Sequence, residues 1–211
     1  MPNYPVIIGV GQLTNRIKSL DEAIEPVEMI ARVANLAAED AGSRDLIWKI
    51  DSLQVVNILS WQYPDAPGLL AEKLGIAPPH QVYTAVGGNT PQMLVNQASE
   101  AIVNGEIKFA LLAGAEAGAT RSLARKQNAR LPWNVRGTPE KVVGDTRVGF
   151  NDAEARHGAV APIRVYPLFE NAIRAHLGQT IEEHQHYVAE LCSRFTQVAA
   201  KHPNAWFPTA R

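Results

Sequence analysis

The chain is short of everything that would mark a secreted, membrane-bound or nucleic-acid-binding protein. It has one cysteine in 211 residues, so no disulfide forms within it, and a reducing cytoplasm is the simplest home. Neither sign of charge dominates: 20 basic residues stand against 21 acidic ones, leaving a formal net charge of −1. That gives no long-range field for a nucleic acid or an anionic membrane. Apolar runs are brief. The stretch 109–115 is typical of the longest, where a bilayer span takes about 20 residues. The first eight residues have neither a basic leader region nor a cleavable apolar stretch. What is present is 46% hydrophobic and 19% charged residues, enough to bury a core and too apolar for disorder. The length allows one large domain or two small ones.

Periodicity divides the chain into alternating elements. Val6-Ile7-Ile8-Gly9-Val10-Gly11 is a β-branched run closed by glycines and reads as a first buried strand. Residues 21–41 carry Pro26 near a helix start, acids ahead of and in the first turn, an apolar face from Val27 to Ala41, and Gly42 as a stop. A second strand is expected within 50–58, a short helix over 67–74 ended by Gly75, and a third strand over 80–85. Gly87-Gly88 ends that strand. Pro91 then opens a helix through Val103, with Asn89 or Thr90 as N-cap and Asn104-Gly105 as the stop. The run 109–115 makes a fourth strand. Strands and helices alternating at this spacing predict parallel βαβ crossovers, an α/β sheet with helices on both faces.

Beyond 117 the pattern changes. Residues 119–149 hold seven basic residues against two acids, with few apolar positions, and read as a long irregular excursion. Two helical patterns, 166–177 and 181–202, follow. The expected domains are therefore 1–117, the α/β core, and 118–211, a basic segment followed by helices. No fifth strand is visible. A four-stranded sheet followed by nearly a hundred residues that never return to it reads as part of a larger protein.

Few residues offer chemistry by spacing alone. Gly9-Val10-Gly11 invites a dinucleotide reading, but the fingerprint's third glycine falls on Thr14 and no acid ends a second strand about 20 residues on; a tight strand-to-loop turn is the simpler reading. Cys192 lies in a helical pattern, where free cysteines are mostly buried, with no histidine placed to activate it. His184 and His186 diverge by about 200° around a helix, and His157, His176 and His202 lack ligand spacing. No metal is expected, and the histidines read as solvated or capping. The segment Tyr83-Thr84-Ala85-Val86-Gly87-Gly88-Asn89-Thr90-Pro91-Gln92 is more informative. It sets a sharp turn between a buried strand and a helix N-terminus, where free amides and the helix dipole act on a bound acyl group.

That segment, with residues 98–105 and the strand Ala110-Leu111-Leu112-Ala113-Gly114-Ala115-Glu116, resembles the thiolase superfamily, within it the sterol-carrier-protein-type thiolases and thiolase-like proteins. A second stretch resembles the helical loop region of the same branch: Ala161-Pro162, 166–172, Gly178-Gln179-Thr180-Ile181-Glu182-Glu183 and Pro203-Asn204-Ala205. The resemblance implies a thiolase-like N-terminal βαβ sheet of about four mostly parallel strands, then a mainly helical loop region. It places the family's nucleophilic cysteine on Gly88, which has no side chain to acylate. Of its neighbours Gly87, Asn89 and Thr90, the threonine is an alternative nucleophile or, more simply, a helix cap. The other catalytic groups of the family come from a C-terminal half.

The resemblance therefore implies a protein that handles coenzyme A or an acyl-CoA, by acyl transfer as in acetyl-CoA acetyltransferases or by carbon-carbon bond cleavage or formation as in a lyase, without the usual cysteine. The alternative is a non-catalytic acyl-CoA-binding or scaffolding protein of lipid metabolism. In this reading Arg121, Arg125 and Arg130 are candidates for the phosphates of coenzyme A and Trp133 for its adenine. The bland reading makes the same residues a solvated loop or an oligomer contact. An unfinished sheet implies a partner, either a C-terminal half or a second subunit in a homo- or hetero-oligomer.

Overall fold

The computed structural model describes residues 3–211. The chain divides into two compact units, Met1–Thr146 and Arg147–Arg211. From residue 3 the first runs without strand or α-helix, through one short 3-10 turn at Leu20–Glu22, to helix α1, Pro26–Asp40. Pro26 supplies the preset first turn, and Gly42 continues past the helix end at φ +89°. The apolar face of α1, carried by Val27, Ile30, Ala31, Ala34 and Ala38, is buried. Strand β1, Ser52–Val55, leads into α2, Ala66–Leu74, which Asp65 caps by accepting a hydrogen bond from the Gly68 amide and Gly75 closes in the left-handed conformation. Strand β2, His80–Tyr83, α3, Thr90–Val103, and β3, Ala110–Ala113, complete the sheet.

The three strands are parallel in the order β2-β1-β3, with Ser52 beside both His80 and Ala110. Strand β1 lies in the middle and is buried along its whole length, as a central parallel strand must be. Its Leu53 and Val55 join Val27, Ile30, Tyr63, Leu70 and Tyr83 in the core formed with α1 and α2. Alternate positions Ser52 and Gln54 point the other way and bond to each other, Gln54 Nε2 donating to Ser52 Oγ at 2.9 Å. The chain passes from β1 outward to β2, then back across β1 to β3. Right-handed crossovers in opposite directions put α2 and α3 on opposite faces of the sheet.

Two expectations are corrected. The expected sheet has four strands, whereas the described residues form three: 6–11 is not a strand, and Ile7 is 83% exposed. β-branched residues favour extended backbone, but a strand also needs an edge to pair with. This segment is instead laid against α1. A Cβ on Gly9 would stand 2.1 Å from the Ala37 carbonyl oxygen, one on Gly11 2.1 Å from that of Val33, and the Val10 amide donates to Asp40 Oδ2 at 2.9 Å. The second correction concerns 119–149, which is not irregular throughout. Helix α4, Gly118–Lys126, turns Thr120 and Ala124 inward. The chain after it is tied to the core by main-chain bonds, Gly137 N to Gln62 O, Glu140 N to Pro64 O, and the reciprocal pair Val143 N to Tyr83 O and Ala85 N to Val143 O.

The second unit contains α5, Asp152–Arg156, α6, Pro162–His176, and α7, Ile181–Ala199. Capping boxes at Asn151/Glu154 and Thr180/Glu183 start α5 and α7. His184 is its one buried residue.

Candidate functional site

In an open α/β sheet, ligands settle outside the carboxyl ends of the strands where the crossover direction reverses. Here that point is between β1 and β3. Three connections meet at this edge: 56–60 after β1, 84–89 after β2, and 114–117 after β3. They are stitched together by side chains. The Asn57 amide donates to Thr84 Oγ1 at 2.9 Å, and Asn57 Nδ2 donates to the Thr84 carbonyl at 3.0 Å. The Ile58 amide donates to the Tyr83 hydroxyl. The Glu116 carboxylate accepts from the Leu59 and Ser60 amides, both at 2.8 Å, while the Ala117 amide donates to Ser60 Oγ at 2.7 Å. Asn57 Oδ1 is buried without a partner, an acceptor that has lost water without a replacement. Burial pushes the Tyr83 phenol up, with Glu116 adding to the effect, while the hydrogen bonds it receives oppose them.

From this edge the chain turns through Gly87 and Gly88 into α3. Asn89 occupies the N-cap position, but no side chain caps the helix. Thr90, expected as a cap or a nucleophile, has its hydroxyl donating to the Gly87 carbonyl at 2.8 Å and is 2% exposed. A Cβ on Gly87 would come within 2.7 Å of Asn89 Oδ1, whereas one on Gly88 would meet nothing within 4 Å. Gly88 therefore faces open space, at a backbone conformation any L-residue adopts.

The basic candidates do not behave alike. Arg121 and Arg125 are one turn apart on α4, which begins two residues after Glu116. Burial holds Arg121 below the ordinary guanidinium value, and the charges of Arg136 and Arg125 push the same way against the attraction of Glu116. Arg130 is exposed beyond the helix. Trp133 packs edge-on against Trp61 with ring centres 4.9 Å apart, and the Arg136 guanidinium lies 5.3 Å from the Trp61 ring centre. The corner is fixed by Trp61 Nε1 donating to the Asn134 carbonyl, and by Glu25 accepting from both nitrogens of Asn134. Glu25 stands at the N-cap of α1 without capping it, because its carboxylate serves Asn134 and the Tyr63 hydroxyl. Sequence reasoning gave Asn57, Glu116, Trp61 and Arg136 no individual role, although Glu116 ends the strand motif quoted above; a polar residue just past each strand end was the available signal for Asn57 and Glu116.

A cleft of about 150 Å³ lies beside the end of β3, bounded by residues 11–13, Met29 and Val33 of α1, and Gly114 to Glu116. In the second unit Cys192 is exposed, not buried. His184, expected to be solvated or capping, is buried instead: Nδ1 lies 2.8 Å from Gln179 Oε1 and Nε2 2.6 Å from Glu170 Oε1. It joins α6 to α7. Among the described residues, no group of three histidine, cysteine or acidic side chains is placed to hold a metal, and no helix is long and apolar enough to cross a membrane.

No family model matches the chain, and no curated protein is significantly similar to it. Solved structures are similar. A monomeric SCP2-thiolase-like protein type 1 from Mycobacterium smegmatis is 28% identical over 100% of this chain and 38% of its own, with a TM-score of 0.74. Acetyl-CoA acetyltransferase from Syntrophomonas wolfei is 16% identical over 53% of this chain and 28% of its own, at 0.43. Xanthomonas campestris OleA, crystallised with lauric acid and lauroyl-CoA, is 24% identical over 44% of this chain and 27% of its own, at 0.35. The chain thus spans 38% of the length of the SCP2-thiolase-like protein and aligns with it throughout, and its fold is thiolase-like.

Proposed function

We propose that the protein binds an acyl-CoA thioester at the turn between β2 and α3 and, in its active form, catalyses carbon-carbon bond cleavage or formation on it without a covalent acyl-enzyme. What supports this is Gly88: the position onto which the resemblance carries the nucleophilic cysteine faces open space at an α3 N-terminus that no side chain caps. The Thr90 amide is committed to the Gly87 carbonyl and Pro91 has none, so the amides there suited to polarise a thioester carbonyl are those of Gly88, Asn89 and Gln92. Gly88 has no nucleophile to offer, and the Thr90 hydroxyl is committed to Gly87, so ping-pong acyl transfer does not fit. The same two facts favour a second reading, a non-catalytic acyl-CoA-binding protein that keeps the fold for assembly.

In both readings further polypeptide supplies what these residues lack. Strand β3 pairs with β1 on one side, and its other edge suits a strand from a C-terminal half or a second subunit. A lone cysteine suits a reducing cytoplasm. Native mass spectrometry with acetyl-CoA tests the binding step. A bound thioester mass supports both readings, and consumption of the thioester when a second polypeptide is present selects the enzyme. A protein that ignores coenzyme A and acetyl-CoA alike refutes both.

A further inference from the structure

Helices α6 and α7 meet at a polar joint. The large apolar side chains Ile163, Tyr166, Phe169 and Ile173 on α6 and Leu191, Phe195 and Val198 on α7 are exposed, and His184 is the one buried residue of 147–211. Its ring lies between two oxygens. Nε2 is 2.6 Å from Glu170 Oε1 on α6, and Nδ1 is 2.8 Å from Gln179 Oε1 between the helices. Carboxylate and carboxamide oxygens accept hydrogen bonds and cannot donate, whereas a neutral imidazole carries a single N–H. The ring that satisfies both contacts is therefore the imidazolium. Three things oppose the charge. Burial favours the neutral ring, the first turn of α7 disfavours a cation through the helix dipole, and Arg174 on α6 brings a like charge where it donates to the Gln179 carbonyl at 2.7 Å. Against them stand the charge-assisted bond to Glu170 and the carboxylate of Glu183 in the same turn of α7. The Tyr187 ring, 6.2 Å from that of His184 between centres, adds no charge.

We propose that α6 and α7 form a proton-dependent joint: protonated His184 fastens one helix to the other, and loss of its proton to solvent releases them. The neutral ring keeps at most one of its two donations. With the large apolar side chains of both helices turned outward, that single bond is a large share of what holds the pair. The joint is complete while the ring is protonated and weakens as pH rises through the range in which histidine gives up its proton, about pH 5–8. His157, His176, His186 and His202 lie in the same unit but are exposed, and serve as internal controls.

The test is hydrogen exchange of the full chain at about pH 5.5 and about pH 8, each amide rate divided by its intrinsic rate at that pH, with nitrogen NMR of the histidine rings. Exchange in α6 and α7 is expected to quicken about tenfold at the higher pH, the scale of one charge-assisted bond, while β1 does not change. The NMR should show both ring nitrogens of His184 protonated at the lower pH and one proton lost in step with the faster exchange. E170Q keeps an accepting oxygen but removes the charge, and it should lose most of the pH response with β1 still protected. H184Q should show no response, and H186Q the full one. A merely structural histidine would give E170Q and the unsubstituted protein the same response. If H184Q does not fold, E170Q decides. Exchange in α6 and α7 that ignores pH, helices unprotected at both pH values, or a neutral His184 ring at about pH 5.5 overturns the inference. A pH response that survives in E170Q overturns it too, since the exposed histidines would then be its source.

Discussion

Gly88 and Tyr63 show how single side chains, or the lack of one, decide the behaviour of this edge. Because a Cβ on Gly88 meets nothing within 4 Å, Gly88→Cys is expected to fold normally and to place a thiol at the α3 N-terminus, where the dipole favours the thiolate. In this variant iodoacetamide should alkylate the introduced thiol faster than Cys192, which lies within α7. Peptide mass spectrometry reads the ratio, and equal rates would mean that the α3 N-terminus does not act on this position. Tyr63 is wholly buried. Its hydroxyl donates to Glu25 and receives the Val27 amide, and burial, with Glu25 adding to it, pushes the phenol far above its ordinary range. Tyr63→Phe leaves that amide without a partner, at a cost of about 1–3 kcal/mol, measurable by urea denaturation. It also loosens Glu25, which holds Asn134 and with it the Trp61–Trp133 corner, so tryptophan fluorescence should change in the folded state.

At the level of elements, the segment 6–11 and α1 form a contact that glycine alone permits. Gly9→Val drives a side chain into the Ala37 carbonyl. It is expected to lift the segment from α1, with faster hydrogen exchange of the Val10 amide now bonded to Asp40; unchanged protection would show that the helix yields instead. Helices α1 and α2 are joined by Glu28, which pairs with Arg32 at 3.0 Å and with Lys73 at 3.1 Å. Burial raises the Glu28 carboxyl, but its hydrogen bonds to Arg32 and Lys73 and their charges outweigh this, and it titrates below its ordinary value. Its contribution is present above the ordinary glutamate range and is lost as pH falls below it. Glu28→Gln should accordingly flatten the acid side of the stability profile, slightly, since the pair is well exposed to solvent.

The elements also show what was legible. The strands 52–55, 80–83 and 110–113 were legible because their apolar runs are bounded by turn residues, and α1 because its start, face and stop all agree. The run 6–11 carries the same strand signal, but availability of a pairing edge is not written in local sequence. Helix α4 was missed because its basic composition masked a narrow inward stripe of Thr120 and Ala124. The turn at Gly87-Gly88 was legible from two adjacent glycines ahead of a proline-started helix. The ties between Leu59 and Glu116, or Trp61 and Asn134, join residues 57 and 73 positions apart, and only the parallel sheet brings them to one edge.

For the whole molecule, the contrast lies between the two units, each taken by itself. The first buries a continuous core around β1. The second buries His184 alone, while Ile163, Tyr166, Phe169 and Ile173 on α6 and Leu191, Phe195 and Val198 on α7 stay exposed. Helix formation without tertiary burial is marginal, and capping boxes add only about 1 kcal/mol each. The helices of Arg147–Arg211 are therefore expected to depend on a surface that covers their apolar faces. In the isolated chain, hydrogen exchange should protect β1 and α1 strongly and α6 and α7 weakly, and a dye that binds exposed apolar surface should fluoresce without denaturant. Added polypeptide that covers these faces should slow exchange in α6 and α7 selectively, leaving β1 unchanged. If α7 exchanges as slowly as β1 in the isolated chain, its helices are held by contacts of their own, and the need for a covering partner falls away.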